Sequence, residues 1–247
     1  MGHAYDDVFY DYIERGAHSS ARRILSVLLG ALPIRSVLDV GCGRGAWLAE
    51  WTRAGVDDVF GVDGGHVDAA RLEVPGEHFR ALDVGRPFDL GRRFDLVQCL
   101  EVGEHLPSAD ARVLVENLVR HGSLVLFSAA VPGQGGEAHV NERPPSFWRA
   151  LFLSAGHSPY DCVRPAVAGF GSVEPWYRYN TLLYAGDDLR DSLPAAIGAR
   201  RIDDADPIPD LSPWPWRLRC ALLGLLPATA VTRLAVLKHR AVALSRR

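Results

Sequence analysis

The apolar positions of this chain change period repeatedly. From Ser20 to Leu32 they fall at helical spacing, with Ile24, Leu25, Leu28, Leu29 and Leu32 on one stripe, until Pro33 ends the run. Residues 1–32 predict two helical stretches, of which this is the second. Ser36–Val40 is then a short, almost wholly apolar run of strand length. A glycine turn follows at Gly41–Gly45, then a helix over Ala46–Ala54 that Gly55 closes. Val59–Asp63, Glu77–Val84, Phe94–Glu101 and Ser123–Ala130 predict four more strands. Ser108–His121, with Pro107 before it and Gly122 after it, predicts a helix, and Pro144–Ala155 another. Residues 157–165 and 178–185 predict the last two strands. Strands separated by helices at this spacing need crossover connections. The implied fold is α/β: a doubly wound, mostly parallel seven-stranded sheet of Rossmann-like type, with N-terminal helices.

The polar tracts divide the chain further. Residues 1–186 read as one α/β domain with its N-terminal helical cap. Residues 187–213 are rich in Asp and Pro and read as a loose linker. Residues 214–247 read as a basic helical extension, because Leu211 to the end holds seven Arg and Lys and no Asp or Glu. Its apolar stripes admit three placements: on its own domain, on the mate in a homodimer, or on an anionic membrane surface. Packing on protein is preferred, since no broad exposed aromatic face is evident.

Composition narrows the classes. The 247 residues are 48% hydrophobic, enough for one sizeable core. A net charge of -3 with 23% charged residues argues against disorder and against a nucleic-acid partner. The four cysteines, Cys42, Cys99, Cys162 and Cys220, are scattered without a CxxC pair. They imply reduced thiols and a cytoplasmic setting. The start, Met-Gly-His-Ala-Tyr-Asp-Asp, is unlike a signal peptide.

In an open parallel sheet, ligands bind outside the carboxyl ends of the strands. Gly41, Gly43 and Gly45 fall there, where glycine lets backbone approach a ligand. Asp63 ends the second strand, where a carboxylate can accept two ribose hydroxyls, and Asp83 ends the third. A dinucleotide dehydrogenase is disfavoured, because its fingerprint wants glycine where this chain has Ala46.

Ser36–Gly45, Val59–Asp63 and Phe94–Glu101 together resemble the motifs of class I S-adenosylmethionine (SAM)-dependent methyltransferases, over roughly residues 30–185. The resemblance implies SAM as cofactor, with Asp39 and Gly41 at its methionine moiety. It places Asp63 at the ribose, and Asp83 with Val84 at the adenine. Leu100 and Glu101 would lie near the sulfonium. Cys42, Gly43, Gly45 and Gly64 complete the implied cofactor set.

Glu101-Val-Gly-Glu104-His105 leaves the end of the fourth strand, and His139 follows on the loop after the fifth. Two carboxylates and two imidazoles, Glu101, Glu104, His105 and His139, form a mixed oxygen–nitrogen set suited to Mg²⁺, Mn²⁺ or Fe²⁺. The pattern resembles that of RNA 3′-end 2′-O-methyltransferases and of ubiquinone-pathway O-methyltransferases, both of which methylate one hydroxyl of a vicinal diol. The same segment also occurs in methyltransferases without metal. There His105 or His139, with Glu104 beside it, serves as the candidate catalytic base.

Ala138–Trp148 resembles a segment of bacterial methyltransferases from natural-product and glycan gene clusters. It implies a small hydroxylated acceptor held by Asn141, Glu142 and Arg143. Trp176 and Tyr177 are candidate pocket walls, and Trp148 reads as core. Tyr5, Phe9 and Tyr10 read as a lid or as a docked helix face. The leading expectation is O-methylation of a small metabolite, assisted by a divalent cation. N- or C-methylation, or SAM binding without methyl transfer, remains open.

Overall fold

The computed structural model describes residues 7–244. Seven strands form one sheet: β1 Ser36–Val40, β2 Asp58–Asp63, β3 Phe79–Ala81, β4 Leu96–Leu100, β5 Leu124–Ser128, β6 His157–Tyr160 and β7 Leu182–Gly186. Their order is β3-β2-β1-β4-β5-β7-β6, and only β7 runs against the rest. β1, β4 and β5 are buried on both faces, which is why they read as continuous apolar runs.

Helices cover both faces. On one lie α1 (Asp7–Leu29) and α2 (Ala46–Arg53), with the shorter α5 (Arg164–Val167), α6 (Pro175–Asn180) and α7 (Ala195–Gly198). On the other lie α3 (Ala111–His121) and α4 (Pro145–Ser154), where Phe127, Trp148, Phe152 and Tyr184 pack as one aromatic cluster. Trp148 is thus core, as its stripe implies. Chain order reverses between β1 and β4, so the crevice lies at their carboxyl ends.

Four departures from the sequence reading have local causes. The N-terminal region is a single helix, α1, unbroken at Gly16. A side chain there would meet Glu174 at 2.6 Å, so the glycine serves a close approach. The third strand shrinks to Phe79–Ala81 at the sheet edge. Pro175–Asn180 is helical, with Pro175 in the first turn where its missing N–H is harmless, so β7 starts only at Leu182. Residues 187–213 are not loose. Asp161 N–H donates to Arg200 O (2.8 Å), Ile202 N–H to Pro159 O (2.9 Å), and the buried Arg164 guanidinium to Pro209 O (3.1 Å). The segment thereby covers the outer edge of β6.

The basic extension forms two helices, α8 (Trp214–Leu223) and α9 (Ala228–Leu244), and α9 lies along α1. No helix among the described residues is long and apolar enough to cross a membrane. The lid expected from Tyr5, Phe9 and Tyr10 falls outside the described side chains.

Candidate active site

The glycine turn after β1 is left-handed at Gly41 (φ 85°), Gly43 (φ 55°) and Gly45 (φ 89°). At Gly41 a Cβ would also collide with Val102 Cγ2, so no other residue fits. Gly43 N–H donates to Asp63 Oδ2 (2.7 Å) and Gly64 N–H to Asp63 Oδ1 (2.6 Å), which ties the ends of β1 and β2 together. Burial raises the Asp63 pKa, and the two amides offset part of that. Asp39 is buried inside β1. Burial lifts its carboxyl from 3.8 to about 7, with Gln98 opposing and Asp63 adding.

A cavity of about 1080 Å³ opens at this crevice. That lies at the upper end for small-molecule sites, room for a nucleoside-sized cofactor and an acceptor together. Asp39, Gly41, Cys42, Gly43, Asp63 and Gly64 line it, as do Asp83, Val84, Leu100 and Glu101. Gly45 does not; it starts α2 and packs near Val74.

Two segments that line the cavity carry the strain. Glu101 (φ 58°) and Ala138 (φ 59°) are the non-glycine residues with positive φ among those described. Such residues cost roughly 1–3 kcal/mol each and persist only where their surroundings hold them. Gln134 Nε2 donates to Glu101 Oε2 (2.7 Å), and Asn180 Nδ2 to Gln134 Oε1 (2.8 Å). The Glu104 carbonyl accepts from Val140 N–H (2.8 Å) and Asn141 N–H (3.0 Å). Those two bonds fold the His139 loop onto the Gly103–His105 turn.

Glu104, His105 and His139 then converge, each offering a ligand atom within 4.8 Å of the others. Glu101 is not part of that group, although it lines the same cavity. The Glu104 side chain is fully buried, and neither carboxylate oxygen makes a hydrogen bond of ordinary geometry. Burial, then the nearby Glu101 charge, pushes its pKa well up, although backbone amides at Glu104 and Ala130 lie close enough to ease ionisation. A buried carboxylate in this state needs a proton or a cation. His139 Nδ1 meets Glu142 Oε1 at 2.8 Å. Glu142 also accepts from Gly133 N–H (2.7 Å) and Gly135 N–H (2.8 Å). Burial works against the Glu142 charge, yet His139 and the two amides outweigh it and hold the pKa below the usual value. A carboxylate-oriented histidine, a second histidine and an orphaned carboxylate fit a divalent cation.

The acceptor residues divide. Trp176 and Tyr177 line the cavity, and Tyr177 packs edge-on to Trp47 at 5.1 Å. Asn141, Glu142 and Arg143 do not line it. Asn141 Nδ2 donates to Gly103 O (3.1 Å), Arg143 Nε donates to Asn141 Oδ1 (2.9 Å), and Glu142 clasps its own loop. They brace the site from behind. Sequence reasoning missed Trp47, Gln134, Trp216 and Arg219, which all line the cavity. Arg219 Nη1 donates to Gln134 O (2.7 Å) and its guanidinium lies 5.0 Å from the Trp216 ring centroid. Only the basic and aromatic character of α8 hinted at this.

A family model described as "Methyltransferase domain" matches residues 12–160, more than half of the chain. The chain belongs to this methyltransferase family. Its methyl donor is SAM. No curated protein matches the sequence significantly. Among solved structures, this methyltransferase is similar to DesVI of Streptomyces venezuelae, at 18% identity and a TM-score of 0.56, over 73% of this chain and 96% of that one. It is similar to the sugar N-methyltransferase KedS8 from Streptoalloteichus sp ATCC 53650, at 20% identity and 0.52, over 75% and 95%. It is also similar to CalS10, an amino pentose methyltransferase from Micromonospora echinaspora, at 19% identity and 0.51, over 75% and 99%. At these identities the likeness is one of fold.

Proposed function

We propose that this methyltransferase transfers the methyl group of SAM to a hydroxyl of a small hydroxylated metabolite, a sugar, nucleoside or natural-product intermediate, with a divalent cation at Glu104, His105 and His139. The observation that carries the reading is the convergence of those three side chains beside the cofactor end of the cavity. A bound cation would lower the pKa of an acceptor hydroxyl and fix its orientation toward the methyl group. Asp63 would orient the ribose and Asp39 the methionine amino group of SAM, while Val84 and Leu100 enclose apolar parts. Glu142 holds the His139 ring through Nδ1, and Nε2 lies beside Gly136, where the missing side chain leaves it room. The aromatic walls Trp47, Trp176 and Trp216 suit the flat face of a sugar or an aromatic ring and shed water from the site. Placement of the acceptor oxygen near the methyl carbon would then supply much of the rate enhancement.

A second reading has one observation in its favour. With Nδ1 held by Glu142, His139 Nε2 can itself take the proton from a hydroxyl or an amine, with no cation. Equilibrium dialysis with Mn²⁺, run alongside SAM titration, separates the two. The first reading expects about one Mn²⁺ per chain, lost in His139→Ala while SAM affinity stays. SAM binding with no uptake of Mg²⁺, Mn²⁺ or Fe²⁺ overturns it in favour of the histidine base.

A further inference from the structure

Ten large hydrophobic side chains are exposed among the described residues, and eight of them lie between Leu211 and Leu237. On α8, Trp214, Leu218 and Leu222 recur every fourth residue and are 69%, 50% and 56% exposed. Leu225, in the turn before α9, extends that stripe at 81% exposure. One face of the extension is therefore spent inward on the cavity, through Trp216, Arg219, Leu223 and Val231, and the other is an uncovered apolar surface.

Charge selects what covers that surface. From Leu211 onward the chain has seven Arg and Lys and no Asp or Glu. Of those cations Arg217 and Arg233 are exposed, whereas Arg219 turns inward to Gln134 O and the Trp216 ring. A second copy meeting this face through a two-fold axis would set like charges against each other. An anionic lipid surface offers the opposite: headgroup phosphates for the arginines and acyl chains for the leucines. No described helix is built to span a bilayer, so the pair would lie in the interface plane.

We propose that the α8–α9 pair docks this methyltransferase on the surface of an anionic lipid bilayer, with Trp214, Leu218, Leu222 and Leu225 entering the headgroup boundary. Leu234 both lines the cavity and is half exposed on this side. The apolar surface of the extension thus reaches the cavity at Leu234.

The test is flotation of the full chain with vesicles of phosphatidylcholine alone and of phosphatidylcholine mixed with phosphatidylglycerol. Binding to the anionic vesicles is expected, weaker on neutral ones and falling with salt. Leu222→Glu and Leu225→Glu should each weaken it roughly tenfold or more, with SAM affinity retained as proof of folding. Leu225 sits in a turn, so its variant keeps the test valid if a substitution inside α8 harms the helix. Arg217→Gln should reduce the salt dependence. No flotation with anionic vesicles at low salt overturns the proposal. So does a concentration-dependent dimer in sedimentation that Leu225→Glu dissociates. Neither result depends on whether Glu104, His105 and His139 bind a cation.

Discussion

Replacing Asp39 by asparagine isolates the energetic cost of a buried acid inside β1. Its carboxyl is raised from 3.8 to about 7, chiefly by burial. The folded state holds this proton more tightly than the unfolded chain does. The associated stability is therefore complete below about pH 4 and is lost as pH rises to about 7. Each pKa unit is worth about 1.4 kcal/mol, so the loss over the whole window approaches ~4 kcal/mol, and about 2 kcal/mol of it falls above pH 5.5. Asparagine has a similar shape and no proton to lose. Urea unfolding of both proteins from pH 5.5 to 8.5, without SAM, should show Asp39→Asn gaining on the wild type up to about pH 7 and then holding level. SAM affinity should move the opposite way. An ammonium group beside Asp39 favours the carboxylate, so wild-type binding strengthens as pH rises through about 7. The variant should bind more weakly, without that rise. A stability difference that stays flat across the range refutes the reasoning, because Asp39 would then be ionised in the folded protein throughout.

Two further perturbations address the frame of the site. Gly41→Ala forces a side chain into a left-handed turn and against Val102; it should cost about 1–2 kcal/mol from the backbone alone and weaken SAM binding by a larger factor than it lowers stability, and calorimetric titration with wild-type affinity would contradict this. Asp161→Ala removes the carboxylate that meets the buried Arg164 guanidinium at 2.9 and 2.7 Å, so denaturant unfolding should show a loss of about 3–5 kcal/mol, with early proteolysis in residues 187–213, which Arg164 helps to anchor.

The sequence was most legible where burial acts on both faces of a strand. β1 reads directly because Val37, Leu38 and Val40 are all buried, with Asp39 the single polar residue among them. The glycine turn reads equally well, since three left-handed residues in close succession favour glycine. Glu104, His105 and His139 could be named because topology sets β4 beside β5. Whether Glu101 joined them could not, because a left-handed backbone at that residue turns its side chain toward Gln134. Asn141, Glu142 and Arg143 have the chemistry of ligand contacts, but loop direction decides what they face, and it aims them at Gly103 O, the Gly135 amide and Asn141 Oδ1. Residues 178–180, the second half of α6, read as strand because a six-residue aromatic helix has too few turns to show a period. Arg219 lies 85 residues from Gln134, and no local pattern encodes a contact of that span.

The two sides of the cavity also occupy separate stretches of the chain. Asp39, the glycine turn, Asp63 and Asp83, with Glu104, His105 and His139, fall within residues 12–160, the stretch shared with the family. The wall made by Trp176, Tyr177, Trp216, Arg219, Leu223 and Val231 lies wholly beyond it. β7, which pairs with both β5 and β6, lies beyond it too, so this wall is tied into the sheet. Substitutions in α6, α8 and α9 can therefore reshape that wall without touching a residue of the matched stretch.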